Sequence, residues 1–256
     1  MKPRLHNRIL ISIALVLGII AVWYLFLLLS DLPEFILPAP HDVVRRLVGE
    51  FTTGRLFYHI GVTLFEFLSG LALGALSAIL FGYMIAHSKK VEIVLSPILT
   101  ASQAIPMVAV APLFVLWFGP GLFSKILVCA IIVFFPILVN TIYGLKNIPA
   151  DLKLLFNTLH ASKIDTIRLL EIPASLPAFL SGLKVGATLS VTGAIVGEFI
   201  GADKGLGYLI NVARGQYDTA YVFGIVLLLI LLALALYRGV EFLEKKVTRK
   251  SNLEEQ

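Results

Sequence analysis

The sequence predicts an all-α integral membrane protein with six transmembrane helices. Mean hydropathy is +0.93, 58% of residues are hydrophobic and only 14% are charged, where a soluble domain carries about 25% charged residues. The apolar residues gather into stretches of roughly 20, the length a helix needs to cross a hydrocarbon core of about 30 Å. Six such stretches cover about 9–29, 60–86, 91–118, 122–143, 177–201 and 219–240. The connections are too short for a soluble domain, so 1–256 reads as one membrane domain with a core at about 60–240, in contact with lipid.

The first stretch follows Lys2, Arg4 and Arg8. It is too long for the apolar region of a signal peptide and ends in Leu-Ser-Asp-Leu-Pro, with no A-x-A cleavage site, so it reads as a transmembrane helix. After Leu37-Pro38-Ala39-Pro40, the residues Val43, Val44, Leu47, Val48 and Phe51 share one face at helical spacing, with charges opposite. That pattern predicts a short surface helix.

In the second stretch Gly70, Gly74, Ala78 and Gly82 recur every four residues. In the fifth, Gly182, Gly186, Ser190 and Ala194 do the same, beside a second line of Gly193, Gly197 and Gly201. Such stripes let helix backbones approach closely in lipid. They predict tight packing, with contact to a second subunit as the alternative use.

The third and fourth stretches contain Pro97, Pro106, Pro112 and Pro136. Each removes a helix hydrogen bond and favours a kink. Pro106 and Pro136 fall near mid-membrane, where freed backbone groups must face protein or a water-filled cavity. Gln103, one turn before Pro106, is a candidate cavity-lining group, as is Ser190.

Glu66 and Glu198 are acidic residues inside apolar spans, each needing a partner or water. Glu198 is expected at a gate on the outer mouth, because the glycine-rich 201–208 that follows reads as a loop returning into the protein. Lys184 is the only buried cation expected, snorkelling to the cytoplasmic interface. This disfavours a highly charged anion as solute.

Lysine and arginine set the orientation. With the N-terminus inside, the cytoplasmic set is Lys2, Arg4, Arg8, Lys89, Lys90, Lys146, Lys153, Lys163, Arg168, Arg238, Lys245, Lys246, Arg249 and Lys250. It outnumbers the opposite set of Arg45, Arg46, Arg55, Lys125, Lys204 and Arg214. Both termini and the 144–176 loop are therefore expected in the cytoplasm. The net charge of +5 reflects this topology and calls for no nucleic acid.

There is no Gly-x-x-x-x-Gly-Lys phosphate loop, no H-E-x-x-H, and no Gly-x-Ser of an intramembrane protease. The histidines His6, His41, His59, His87 and His160 are scattered, which argues against a metal site. Neither an enzyme nor a cofactor is expected. Transport, scaffolding or signalling remain.

Residues 151–183, DLKLLFNTLHASKIDTIRLLEIPASLPAFLSGL, place a polar turn between two apolar spans. The stretch resembles the cytoplasmic EAA loop of ABC importer permeases: Leu159, Ala161, Ser162, Pro173 and Pro177 match the pattern. His160 stands where that family has glycine, and Leu154, Leu155 and Phe156 stand where it has Glu-Ala-Ala.

Leu37-Pro38-Ala39-Pro40, Gln103-Ala104-Ile105-Pro106, the run from Ala111 to Gly119, Val196-Gly197-Glu198-Phe199 and Gly205-Leu206-Gly207-Tyr208 extend the likeness to the nitrate, sulfonate, taurine and bicarbonate group. Relatives in that group also carry thiamine precursors or riboflavin. The resemblance implies a type I (MetI-like) permease of the cell membrane, forming a homodimer with two cytoplasmic ATP-binding subunits and an extracytoplasmic substrate-binding protein.

It also implies that a short helix around 157–166 docks in the ATPase, with Asn157, Thr158, Leu159, His160, Ala161, Ser162, Lys163, Asp165 and Arg168 in contact and Pro173 and Pro177 stiffening its exit. The histidine is expected to make the tight turn less easily than glycine. The competing reading is an ATP-independent secondary transporter or channel, which mid-membrane prolines also fit, although the two halves show no internal repeat.

Overall fold

The computed structural model describes residues 5–30, 32–103 and 105–254, with the side chains of 5–9, 12, 100, 102, 103 and 247–254 outside that description. Every element among the described residues is helical. Contacts divide the chain into two compact units, Met1–His59 with Leu209–Leu228, and Ile60–Tyr208 with Leu229–Gln256.

In the first unit, α1 (Leu5–Leu29) precedes α2 (Pro40–Thr52). Pro40 sits in the first turn of α2, where its missing N–H would be unpaired anyway. The predicted apolar face divides: Val43 is buried, while Val44 and Val48 are exposed. Val43 and Leu47 pack over Gly224 at the start of α11 (Thr219–Glu254). Arg46 fixes the contact through Asp218 at 2.7 Å and Glu50 at 2.5 Å, with its guanidinium 4.6 Å from the Tyr221 ring centroid. Burial alone would lower the Arg46 pKa; the hydrogen bonds and charges of Asp218 and Glu50 outweigh it and hold the group above its ordinary value. The helix expected on the membrane surface is thus tied down by an ion pair.

The second unit contains most of α3 (Arg55–His87), then α4 (Lys89–Gln103), α5 (Met107–Phe118), α6 (Leu122–Lys146), α7 (Ala150–Thr158), α8 (Lys163–Asp165), a π-helical turn (Thr166–Glu171) and α9 (Ile172–Phe199). α10 (Leu206–Gly215) begins here. Four helical runs are long and apolar enough to cross a membrane: Arg55–His87, Leu122–Lys146, Lys163–Phe199 and Thr219–Lys246. The shorter apolar Ile13–Leu29 and Met107–Phe118 fall within the first and third expected spans. The third, 91–118, is not one helix. It breaks into α4 and α5, with Pro106 as N-cap of α5 in extended backbone (φ −69°, ψ 102°), because a proline there cannot continue the hydrogen-bond ladder.

α6 is the axis of this unit. Glycines of α3 and α9 press onto it: a methyl group on Gly193 would stand 2.8 Å from the Cα of Cys129, one on Gly182 would stand 2.7 Å from the Cβ of Asn140, and one on Gly82 would stand 2.8 Å from Thr141. Around them Val133, Ile137, Leu138, Ala187, Val191 and Ala194 are buried. The small-residue stripes therefore serve packing within one chain; at these positions the stripe is already covered by α6, which leaves no open face there for a second subunit.

Candidate functional site

The loop between α6 and α9 is two short helices around a turn. α7 ends in a Schellman motif: Ala161 N–H donates to the Phe156 carbonyl and His160 N–H to that of Asn157, both at 3.0 Å. His160 occupies the left-handed position with φ +53°. It therefore makes the tight turn itself, contrary to the expectation from its bulk, and its Nδ1 lies 3.1 Å from the Thr158 carbonyl oxygen.

Ser162 then caps α8, its Oγ accepting from Asp165 N–H at 3.2 Å and donating to the Asp165 carboxylate at 2.6 Å. A continuous helix over 157–166 does not form, because a left-handed cap and a fresh N-cap lie inside that range. Ile172 N–H donates to the Ile167 carbonyl, the i−5 partner of a π turn. Pro173, in the first turn of α9, has no N–H to offer the usual i−4 acceptor, and Pro177 lies inside α9.

The N–H groups of Leu159, His160, Ala161, Asp165 and Thr166 are all hydrogen-bonded within the turn, but its apolar side chains stand uncovered. Leu159 is 68% and Ile164 75% exposed, with Leu154, Leu155 and Leu169 also exposed. Asn157, Thr158, Lys163, Asp165 and Arg168 are exposed around them, and Ala161 is half-buried. Behind the turn, His87 Nε2 lies 2.8 Å from Glu171 Oε1, joining the end of α3 to the π turn.

A cavity of about 510 Å³ lies where α4–α5, α6 and α9 meet, lined by Ile105, Met107, Val108, Ile132, Phe135, Pro136, Val139, Asn140, Leu189, Thr192 and Val196. Pro136 lines it, and Pro106 stands between two of its lining residues, Ile105 and Met107. Pro136 cannot donate to the Ile132 carbonyl, and Ile132 is itself a lining residue. Asn140 donates to the Pro136 carbonyl at 2.8 Å. Ser190 is elsewhere: fully buried, it donates to the Ala187 carbonyl at 2.8 Å. The Gln103 side chain lies outside the described residues.

Glu198 is fully enclosed. Its Oε1 accepts from the Thr63 hydroxyl at 2.6 Å and its Oε2 from Gly207 N–H, while Thr63 Oγ accepts from Leu206 N–H at 2.8 Å. The returning segment 201–207 is thereby fastened to α3 and α9. Glu66 is paired with Lys125 Nζ at 3.3 Å, both side chains almost wholly buried.

Residues 70–249 match the family of binding-protein-dependent transport system inner membrane components. The chain belongs to that family. Among relatives, the riboflavin transport system permease protein RibX of Chloroflexus aurantiacus is 41% identical, covering 90% of this chain and 86% of its own. The formylaminopyrimidine transport permease protein ThiX of Halalkalibacterium halodurans is 39% identical over 82% of this chain and 84% of its own. A putative aliphatic sulfonates transport permease, SsuC of Bacillus subtilis, is 31% identical over 91% and 85%. An inward-facing structure of the MetNI methionine ABC transporter shares the fold, with a TM-score of 0.69 at 18% identity, covering 77% of this chain and 98% of the other.

This permease is thus a multi-pass inner-membrane component of an ABC importer, a class that works with ATP-binding subunits and a substrate-binding protein rather than as an enzyme in its own right. Two features of it escape sequence reasoning. Lys125, counted with the cations of the outer side, is a buried partner of Glu66 inside α6; Lys184, expected as the buried cation, is half-buried and pairs with Glu244 at 2.7 Å. Asn140 and Thr192 join Pro136 on the cavity wall, and the period of α6 and α9 relative to Pro136 was the available signal.

Proposed function

We propose that the permease translocates a small heterocycle of low charge, of the riboflavin or thiamine-precursor kind, in preference to a sulfonate or nitrate. The observation that carries this is the cavity wall: Phe135 and aliphatic side chains offer an apolar surface, Asn140 and Thr192 offer uncharged hydrogen-bonding groups, and no lysine or arginine is among the described residues that line it. An anion would there meet no compensating charge. The more similar relatives named for riboflavin and formylaminopyrimidine transport support the same class.

We further read 1–256 as one permease domain paired with a second copy, with both termini and 144–176 in the cytoplasm. The turn at 157–168 receives the motion of the ATP-binding subunits. Exposed Leu159 and Ile164 beside Lys163, Asp165 and Arg168 supply an apolar centre with a polar rim, the composition of a docking surface.

Vesicles carrying the permease with its ATP-binding and substrate-binding partners test the solute. ATP-dependent uptake of riboflavin or formylaminopyrimidine, unaffected by excess taurine, is the expected result; uptake of taurine or an alkanesulfonate alone sinks the proposal. A permease that purifies without an ATP-binding subunit, or accumulates solute by itself, sinks the coupling assignment.

A further inference from the structure

We propose that Glu66 carries a proton at neutral pH and, with ionised Glu198 and Lys125, forms a charge-balanced latch that holds the returning segment 201–207 in place. All three groups are almost completely removed from solvent. Two carboxylates against one ammonium would leave a net buried negative charge, which is costly in a low-dielectric interior. One proton removes the excess.

Hydrogen-bond geometry says where the proton sits. Both oxygens of Glu198 already receive donors, from the Thr63 hydroxyl and from Gly207 N–H, so a proton on either would displace one of them. Among the described residues the Glu66 oxygens accept no hydrogen bond, while Lys125 Nζ approaches at 3.3 Å. Thr63, one turn before Glu66 on α3, donates to Glu198, and Gly197 packs on Lys125, so the three groups form one buried cluster.

The surroundings are built for this group. A methyl on Gly207 would stand 2.8 Å from Glu198 Oε2, one on Gly205 would overlap the same carboxylate, and one on Gly197 would stand 3.1 Å from the Cα of Lys125. Glycine at 205 also supplies φ +107°. Cys129 of α6 adjoins the latch, its thiol 3.8 Å from the carbonyl oxygen of Phe67, the residue after Glu66, and donating to the Ser190 carbonyl at 3.3 Å. Glu198 is therefore not a free gate group at an open mouth; it is an anchor whose charge state depends on its neighbour.

Infrared difference spectroscopy of the assembled transporter in lipid nanodiscs tests the assignment. Wild-type protein at neutral pH should show the carbonyl stretch of a neutral carboxyl, shifted by glutamate isotope labelling. That band should disappear in Glu66→Gln, which keeps a neutral polar side chain of the same size and should retain the wild-type melting temperature and uptake. Glu198→Gln, which removes the anionic acceptor, should lower the melting temperature and the uptake. Absence of the band from wild type overturns the proposal without any variant. So does a Glu66→Gln protein that is as unstable as Glu198→Gln, or that fails to insert.

Discussion

The latch around Glu198 and the turn around Ala161 lie in the same unit of the chain and are built on opposite rules. At the latch, carboxylates, an ammonium, a hydroxyl and backbone N–H groups are buried together and answer one another, with glycines making the room. At the turn, the backbone is capped with equal care, but leucine and isoleucine side chains stand in the open. Polar groups hidden and satisfied describe a structure complete in itself. Apolar groups exposed on a rigid frame describe one that is unfinished until something covers it. The difference separates residues that hold the permease together from residues proposed to meet its ATP-binding subunits, and it predicts which assay each substitution disturbs.

The largest expected effect is Ala161→Asp. A charge placed among Leu159 and Ile164 should abolish ATP-driven uptake and release the ATP-binding subunit on purification, while expression and melting temperature stay at wild-type values. A marked loss of thermal stability would break the comparison, since it would make the turn part of the core.

Next is Lys125→Met. Breaking a buried pair typically costs about 3–5 kcal/mol, because the remaining charge is left uncompensated. Here the loss should appear as thermal instability of the isolated permease, before any transport assay. Unchanged melting would mean that Lys125 is not the counter-charge of the latch.

How far each region was legible in the sequence follows from the same contrast. The turn was visible as a polar break between apolar spans, since local capping chemistry is written in adjacent residues: Ser162 and Asp165 are three apart, and the cap at His160 uses carbonyls one turn back. Even so, the φ +53° of His160 was unreadable, because the residue type argued against it.

The latch was half visible. Glu66 and Glu198 stood out as acids in apolar runs, but Lys125, at the start of α6 in Leu122-Phe123-Ser124-Lys125, counted only as a cation of the outer side. Only tertiary packing brings it to Glu66. Likewise the glycine stripes were legible as close contacts, whereas their partner, α6 rather than another subunit, was not. The break between α4 and α5 was announced by Pro106, but an apolar count over 91–118 smooths across it.

Gly193→Val sharpens the comparison from the packing side. The added side chain would press on the backbone of Cys129, which cannot move as a flexible side chain would, and overpacking of this sort costs about 1–3 kcal/mol. Melting should fall by an amount between the Lys125→Met value and zero, with ATPase binding unaffected. If ATPase binding is lost while melting holds, the α6–α9 contact belongs to the coupling machinery instead.

The smallest effect is expected at His160. A non-glycine residue in left-handed backbone costs roughly 1–2 kcal/mol, and glycine would relieve that strain while adding about 0.5–1 kcal/mol of chain entropy to be lost on folding. The two nearly offset. His160→Gly should therefore leave uptake intact and raise amide-exchange protection at His160 and Ala161 only slightly. His160→Val keeps an apolar side chain but cannot adopt this φ without severe crowding, so it should unravel the Schellman cap, strip protection from both amides and reduce coupling while overall melting holds. If valine is tolerated as well as glycine, the turn does not need its left-handed residue, and the rigid frame that presents Leu159 and Ile164 must come from the Ser162 cap and the π turn alone.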